Sequence, residues 1–282
     1  MSFIDLKGKT ALVTGVADNV GFGWHIAKAL AGQGADIVLS SHPRVVSILE
    51  RFLTGSRYLE SRKLFDGSEF KPKAVIPCDV SLDAMKESDQ SQSDISIAGL
   101  VSALKHQDHK IDILIHSVAF SPEITKSHLE VSREAYLMAL SVSSYSLVAL
   151  SRAIMPFMAG RNGSIIALSF LASERAVPFY GGGMASAKAA LECDARMLSW
   201  QLGEAGHRIN IISAGPYASR AARAIGDMDA MVNLVKEKSP LRRAITAMDV
   251  AKTALFLASD LSSAITGETI HVDAGFHAMA LV

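Results

Sequence analysis

Seven short aliphatic runs, spaced so that a helix fits between most neighbours, restrict this chain more than any other feature. Ala11–Thr14, Asp36–Ser40, Lys73–Cys78, Ile111–His116, Gly163–Ser169, Arg208–Ser213 and Glu268–Val272 are each rich in Val, Ile and Leu. A strand that is apolar on both faces must be covered on both. Helical segments are predicted at 24–34, about 94–106, 131–159, 183–205 and 247–259. Strands alternating with helices give a parallel sheet with right-handed crossovers. The expected fold is therefore α/β, one doubly wound domain over 1–282, with a seven-stranded parallel sheet flanked by helices. A length of 282 residues, 49% of them hydrophobic, is enough for such a core. Two stretches break the alternation: a long charged excursion at 43–72, and a polar, exposed loop at 82–93. No internal repeat or interdomain linker is visible.

Lys plus Arg and Asp plus Glu both total 28, so the formal net charge is zero. That balance argues against nucleic acid or an anionic membrane as partner. Two cysteines, Cys78 and Cys193, are too few for a disulfide framework and indicate a reducing compartment. The first residues run straight into the first strand, which predicts no signal or transit peptide and a cytoplasmic protein. A plastid-type organelle is the alternative if a transit peptide was removed. The apolar stretch 135–157 carries Arg152 and several serines and ends near Pro156, so it reads as a buried helix and not a membrane span.

The first strand ends in Gly15, and Gly21-Phe22-Gly23 follows six residues later, just before a helix. Glycines allow a tight turn and close approach to a phosphate. The helix start then offers free N–H groups and a positive dipole end to a pyrophosphate. A Gly-rich turn between strand and helix marks a Rossmann-type dinucleotide site, here in a widened form. The second strand ends Ser40-Ser41-His42, without the acidic residue that would hold the adenosine ribose of NAD. Arg44 is either a contact for a 2′-phosphate or a solvated surface arginine. Asp79, after the third strand, either bonds the adenine amino group or caps the next element.

The chemistry lies in Tyr180-Gly-Gly-Gly-Met184-Ala-Ser-Ala-Lys188. A lysine within a small-residue helix is costly to bury and needs acceptors, which the ribose hydroxyls of a nicotinamide cofactor would supply. Its ammonium also favours negative charge developing nearby. Carbonyl-reducing short-chain dehydrogenases place a tyrosine four residues before that lysine. Here that position is Met184, which donates no proton. Tyr180 lies eight residues before Lys188, across three glycines, and must reach the site from the turn ahead of the helix. No serine stands about seventeen residues before the lysine; Phe170 and Leu171 occupy that neighbourhood.

These residues closely resemble the enoyl-acyl-carrier-protein reductases of type II fatty acid synthesis, a divergent branch of the short-chain dehydrogenase/reductase family. The resemblance covers nearly the whole chain. It is carried by Val13–Ala17, His116–Ala119, Ser143–Ser146, Ala172–Arg175, Ser213–Pro216 and Val272–Gly275. Tyr180–Met184, Ser219–Ala222 and the 43–72 excursion resemble the plant form. The resemblance implies catalytic roles for Tyr180, which meets the thioester carbonyl, and for Lys188, which binds the cofactor. It implies cofactor contacts from Gly15, Gly21, Phe22, His42, Asp79, Val80, Ser117, Val118 and the run Tyr217, Ala218, Ser219, Arg220, Ala221. Substrate contacts are expected at Ser121, Phe170, Tyr180 and Met184. Many members carry a second tyrosine ten residues before the catalytic one; here it is Phe170, which packs and donates nothing.

The expected reaction is conjugate reduction of a trans-2-enoyl thioester on acyl carrier protein, with NADH favoured over NADPH. Tyr180 hydrogen-bonds the oxygen that becomes enolate, and Lys188 holds the ribose. The segment 217–238 is expected to form a flap over the acyl chain, or else an ordinary packed helix. No metal is expected, and the resemblance implies a homotetramer. Two rivals are a 3-ketoacyl reductase of the same fold, which Met184 and Phe170 oppose, and a non-catalytic dinucleotide-binding regulator, which the Tyr180–Lys188 pair opposes.

Overall fold

The computed structural model describes residues 4–86, 93–219 and 228–280. Among these, seven strands form one parallel sheet: β1 (Thr10–Thr14), β2 (Asp36–Ser41), β3 (Ala74–Pro77), β4 (Ile113–His116), β5 (Ser164–Ser169), β6 (Arg208–Ala214) and β7 (Thr269–Val272). Their order is β3-β2-β1-β4-β5-β6-β7. Val13 pairs with Leu39 on one side and Ile115 on the other. The chain winds outward from β1 in one direction and from β4 in the other. The crevice at their carboxyl ends is where such sheets bind ligands.

Alternate side chains along each strand enter opposite cores. Ala11, Val13, Ile37, Leu39, Ile113, Ile115, Ile166 and Ile212 face α1 (Phe22–Ala31) and α9 (Ala247–Ala258). Leu12, Val38, Leu114, Ile165, Ala167, Ile209 and Ile211 face α4 (Ile97–His106), α6 (Ser146–Met158) and α7 (Met184–Gly203). Hence the strands read as unbroken aliphatic runs with no polar face.

The 43–72 excursion contains its own crossover helix, α2 (Pro43–Thr54), and a short α3 (Leu59–Arg62). α2 turns Leu49 and Phe52 into the core and leaves its charges outside. Arg62 is buried and pins the whole excursion. It donates to Glu69 Oε1 at 2.7 Å and to the carbonyls of Phe52 and Gly55, both at 2.9 Å. Trp24 of α1 packs edge-on against Phe70, and its indole donates to the Ser61 carbonyl. Arg62→Met should therefore cost about 3 kcal/mol of stability, since buried carbonyls lose a charged donor. A urea melt reads this directly, and a midpoint unchanged from wild type would refute it.

The predicted 131–159 helix is continuous but not uniform. α5 (Arg133–Leu140) passes through a π-helical segment, Ser141–Tyr145, into α6. Pro156 lies inside α6 and does not end it. Arg133–Met158 is long and apolar enough to cross a membrane, and 56% of its apolar window is buried in the fold. Ser146 donates to the Val142 carbonyl (2.6 Å) and contacts His116 Nε2 (2.7 Å). Because the Ser146 proton is spent on Val142, Nε2 must carry the imidazole proton. The loop expected at 82–93 is exposed from Leu82 to Ala84, and residues 87–92 lie outside the described residues. Within 217–238, Met228–Lys238 forms α8, with Met228 and Val235 buried.

Candidate active site

The Gly15–Phe22 turn is held by two side chains. Asp18 accepts from the N–H groups of Val20 (2.9 Å) and Gly21 (2.7 Å), closing the widened loop. Ser41, at the end of β2, donates to the Val16 carbonyl. Gly15 has φ +75°, and a Cβ there would lie 2.1 Å from the Ser117 carbonyl oxygen. A Cβ at Gly23 would lie 3.2 Å from Ser117 Oγ. The glycines thus let the first turn of α1 approach the end of β4. Gly21 caps α1 without a side-chain hydrogen bond, and the first turn carries no acidic residue. The Asp18 carboxylate takes up the N–H groups of Val20 and Gly21, and the N–H groups of the first helical turn beyond them face the crevice where a pyrophosphate would lie.

The crevice gathers most of the residues expected there. Ser117 and Val118 follow β4 and border Gly15. His42 and Asp79 meet beyond β2 and β3, Nε2 to Oδ2 at 3.3 Å. Burial opposes ionisation of Asp79, but bonds from Ser81 together with His42 hold it below the usual carboxylate range. Val80 follows and is half-buried. On the opposite rim, Tyr217 packs on Phe22 with ring centroids 5.0 Å apart and donates to the Val20 carbonyl. Ala218 and Ser219 continue this rim, and the backbone N–H of Ser219 donates to the Tyr217 carbonyl. Arg220 and Ala221 lie outside the described residues. Arg44 is exposed, and its backbone N–H donates to His42 Nδ1, so the structure gives it a capping geometry at α2.

The tyrosine is placed by what clamps the three glycines. Gly182 N–H donates to the Lys126 carbonyl, and the Gly182 carbonyl accepts from Ser121 Oγ at 2.7 Å. A Cβ on Gly181 would sit 1.9 Å from the Lys126 oxygen; one on Gly182 would sit 2.6 Å from the Glu123 oxygen. Phe179, Gly182 and Gly183 all have positive φ, 72°, 60° and 78°. The loop after β4 therefore bolts this turn against the start of α7. Phe120 beside it exchanges hydrogen bonds with Ser143 of the π-helical segment.

Tyr180 lies against Phe170, with ring centroids 4.9 Å apart. Burial alone raises its phenol above the usual tyrosine value. Met184 is buried and supports Tyr180 in a small cluster with Ala139 and Ala187. Ser121 is likewise buried, its hydroxyl engaged with the triglycine. Both side chains are thus engaged with the turn that carries the tyrosine. Lys188 is buried on α7 and donates to the Leu168 carbonyl at 2.7 Å. No other described residue accepts from it, so two N–H groups remain for another ligand. Burial pulls its ammonium down to about 8, with Glu192 opposing that pull.

Sequence reading missed Asp18, although an Asx residue three before a turn glycine is a recognisable signal. It also missed Glu192. Among the described residues, no cluster of His, Cys, Asp and Glu is arranged to hold a metal ion.

Comparison with known proteins shows the family. The family model described as "Enoyl-(Acyl carrier protein) reductase" matches residues 67–277. A rice chloroplastic enoyl-[acyl-carrier-protein] reductase [NADH] is 44% identical, covering 99% of this chain and 76% of that protein. The corresponding NADH enzyme of Aquifex aeolicus is 37% identical over 98% of this chain and 94% of its own. A crystal structure of the Plasmodium berghei enoyl-acyl-carrier-protein reductase with triclosan matches at TM-score 0.91 and 36% identity, covering 96% of this chain and 98% of that one. By sequence and by structure, this chain belongs to the enoyl-acyl-carrier-protein reductase family.

Proposed function

We propose that this chain reduces the trans-2 double bond of enoyl thioesters carried on acyl carrier protein, using NADH. What supports this reading is the half-buried phenol of Tyr180, carried on the clamped triglycine turn directly ahead of the helix that bears Lys188. The tyrosine of a carbonyl reductase is replaced by Met184, buried beneath it.

When bound, NADH supplies the hydride that adds to C3 of the enoyl group. The residues present fit that cofactor, because Gly15, where a Cβ would meet the Ser117 carbonyl oxygen, lets the turn close tightly over the end of β4 ahead of the N-terminus of α1. The Gly15–Phe22 turn and the N-terminus of α1 would hold the pyrophosphate. His42, Asp79 and Val80 would hold the adenine end. Ser117, Val118 and the two free N–H groups of Lys188 would hold the nicotinamide ribose. Tyr217, Ala218 and Ser219 would border the nicotinamide, with Arg220 and Ala221 following. The Asp79 carboxylate beside His42 would repel a 2′-phosphate, which supports NADH over NADPH.

As hydride adds to C3, charge moves onto the thioester oxygen as an enolate, and uptake of a proton from water at C2 completes the reduction. Tyr180 donates a hydrogen bond to that oxygen, and its raised pKa keeps it a donor at neutral pH. The Lys188 ammonium adds a positive field on the same side. Phe170 packs beside the phenol and shields it from water. The 217–238 segment, with α8 in its second half, would cover the acyl chain.

The homotetramer implied by the resemblance belongs to the same proposal. Leu137 on α5 and Met197 and Trp200 on α7 are exposed apolar side chains on adjoining helices, as a contact between copies needs. Two free cysteines, Cys78 and Cys193, support a reducing compartment, either cytoplasm or plastid. The decisive experiment follows NADH and NADPH absorbance with crotonyl and decenoyl thioesters, and with a 3-ketoacyl thioester for comparison. Oxidation of NADH by the 2-enoyl thioesters is the expected result. Oxidation driven only by the 3-ketoacyl thioester, or by none of them, would overturn the reading.

A further inference from the structure

Lys188 has a buried neighbour that the reaction as described does not use. Glu192 lies four residues on along α7, so both side chains share one face, a turn apart. Both are nearly inaccessible, at 4% and 6% exposure. Two successive residues at the end of β5 hold the pair. The Leu168 carbonyl accepts from Lys188 Nζ, and the Ser169 hydroxyl donates to Glu192 Oε1. A carboxylate is costly to bury unless something there requires it. Its far side borders a cleft of about 540 Å³ formed by α7, β7 and the turn after β5.

We infer that Glu192 is a positioning residue of the reductase site, fixed by Ser169 one helical turn from Lys188, so that the field of its carboxylate keeps the ammonium charged while the Leu168 carbonyl holds it. The inference rests on the reductase reading given above, since it assigns Lys188 a working charge. The other groups around the pair are consistent with it. Lys188 also faces His116 on β4. Burial and the lysine itself push the imidazole down to about 3, so it is neutral and offers no competing charge. Around Glu192 the cleft brings Ser173 and Glu174 after β5, Arg196 on α7, and Glu268 and His271 at β7. The Ser173 hydroxyl is buried and without a protein partner. Arg196, a further turn along α7, lines the same cleft.

The sign of the effect follows from the causes. Burial lowers the Lys188 pKa to about 8, and Glu192 raises it against that pull. Removing the carboxylate leaves burial unopposed, so the ammonium loses its proton at lower pH. For unit charges one helical turn apart the expected drop is about one pH unit.

The test compares wild type with Glu192→Gln in the full-length protein. Lysine Cε-labelled with carbon-13 gives the Lys188 titration by NMR, its signal assigned through Lys188→Arg. The alkaline limb of kcat with NADH and a 2-enoyl thioester is measured in parallel. The NMR midpoint and the alkaline limb should both fall by about one unit in Glu192→Gln. Ser169→Ala, which keeps the carboxylate and frees it from its anchor, should shift both less. An unmoved midpoint, with turnover lowered equally at every pH, would overturn the proposal and leave Glu192 a packing residue. If Glu192→Gln does not fold, Glu192→Asp and Ser169→Ala carry the same readouts, and two unmoved midpoints overturn it. Failure of the underlying reductase reading looks different: wild type would oxidise no NADH with any enoyl thioester, while the NMR titration would still report on the pair.

Discussion

Tyr180→Phe is expected to lower kcat by at least about 100-fold, the usual cost of deleting one donor to an oxyanion. The KM for NADH should stay within about twofold of wild type, because the proposed role sets the phenol against the thioester and not the cofactor. The ring contact with Phe170, at 4.9 Å between centroids, does not involve the hydroxyl, so the substitution keeps the packing. Steady-state NADH oxidation with a decenoyl thioester checks both numbers. Turnover within threefold of wild type would show that another group stabilises the enolate. Because burial raises the phenol's pKa, wild-type kcat should show no limb assignable to tyrosine ionisation in the neutral range. The limb expected near pH 8 comes from Lys188, whose charged form is present below that value and lost above it.

Gly182→Ala should be nearly as damaging without touching any reacting group. The new methyl would meet Ser121 Oγ at 2.5 Å and the Glu123 carbonyl oxygen at 2.6 Å, on a backbone with φ +60°. A backbone carbonyl cannot swing aside as a side chain can, so the turn must move. Tyr180 lies two residues away, and a displacement of about 1 Å at a catalytic donor can cost about 100-fold. NADH binding, measured by fluorescence, should be retained, since the Gly15–Phe22 turn is remote from the change. Equal loss of binding and turnover would mean the fold itself had failed. Unchanged turnover would mean that the clamp does not set the tyrosine.

Most of the sheet was legible in the sequence, for a physical reason. A strand buried on both faces needs aliphatic residues at every position, and Leu12-Val13, Ile113–Ile115 and Ile165–Leu168 have no other use. The displaced Tyr180–Lys188 spacing was equally plain, because glycines at three successive positions can be neither helix nor strand. α2 was less visible. Its apolar residues Val46, Leu49, Phe52 and Leu53 are diluted by charges, and the tether that settles it, Arg62, lies beyond its end. The π-helical segment is hidden because Ser141-Val-Ser-Ser-Tyr145 contains no Gly or Pro to mark a change of helical pitch. Asp18 and Glu192 escaped because their partners, backbone amides in one case and Ser169 in the other, are set by the folded chain. Local pattern reveals burial, and tertiary contact decides which polar residues serve the site.

The short segment from Phe120 to Lys126 is fastened at both ends, to Ser143 through one pair of bonds and to Gly182 through another. It ties the bulged helix to the turn that carries the phenol. A small molecule wedged under that segment, far from the hydroxyl itself, would swing the tyrosine off its target while leaving the dinucleotide crevice open. Such a compound would inhibit without competing with NADH.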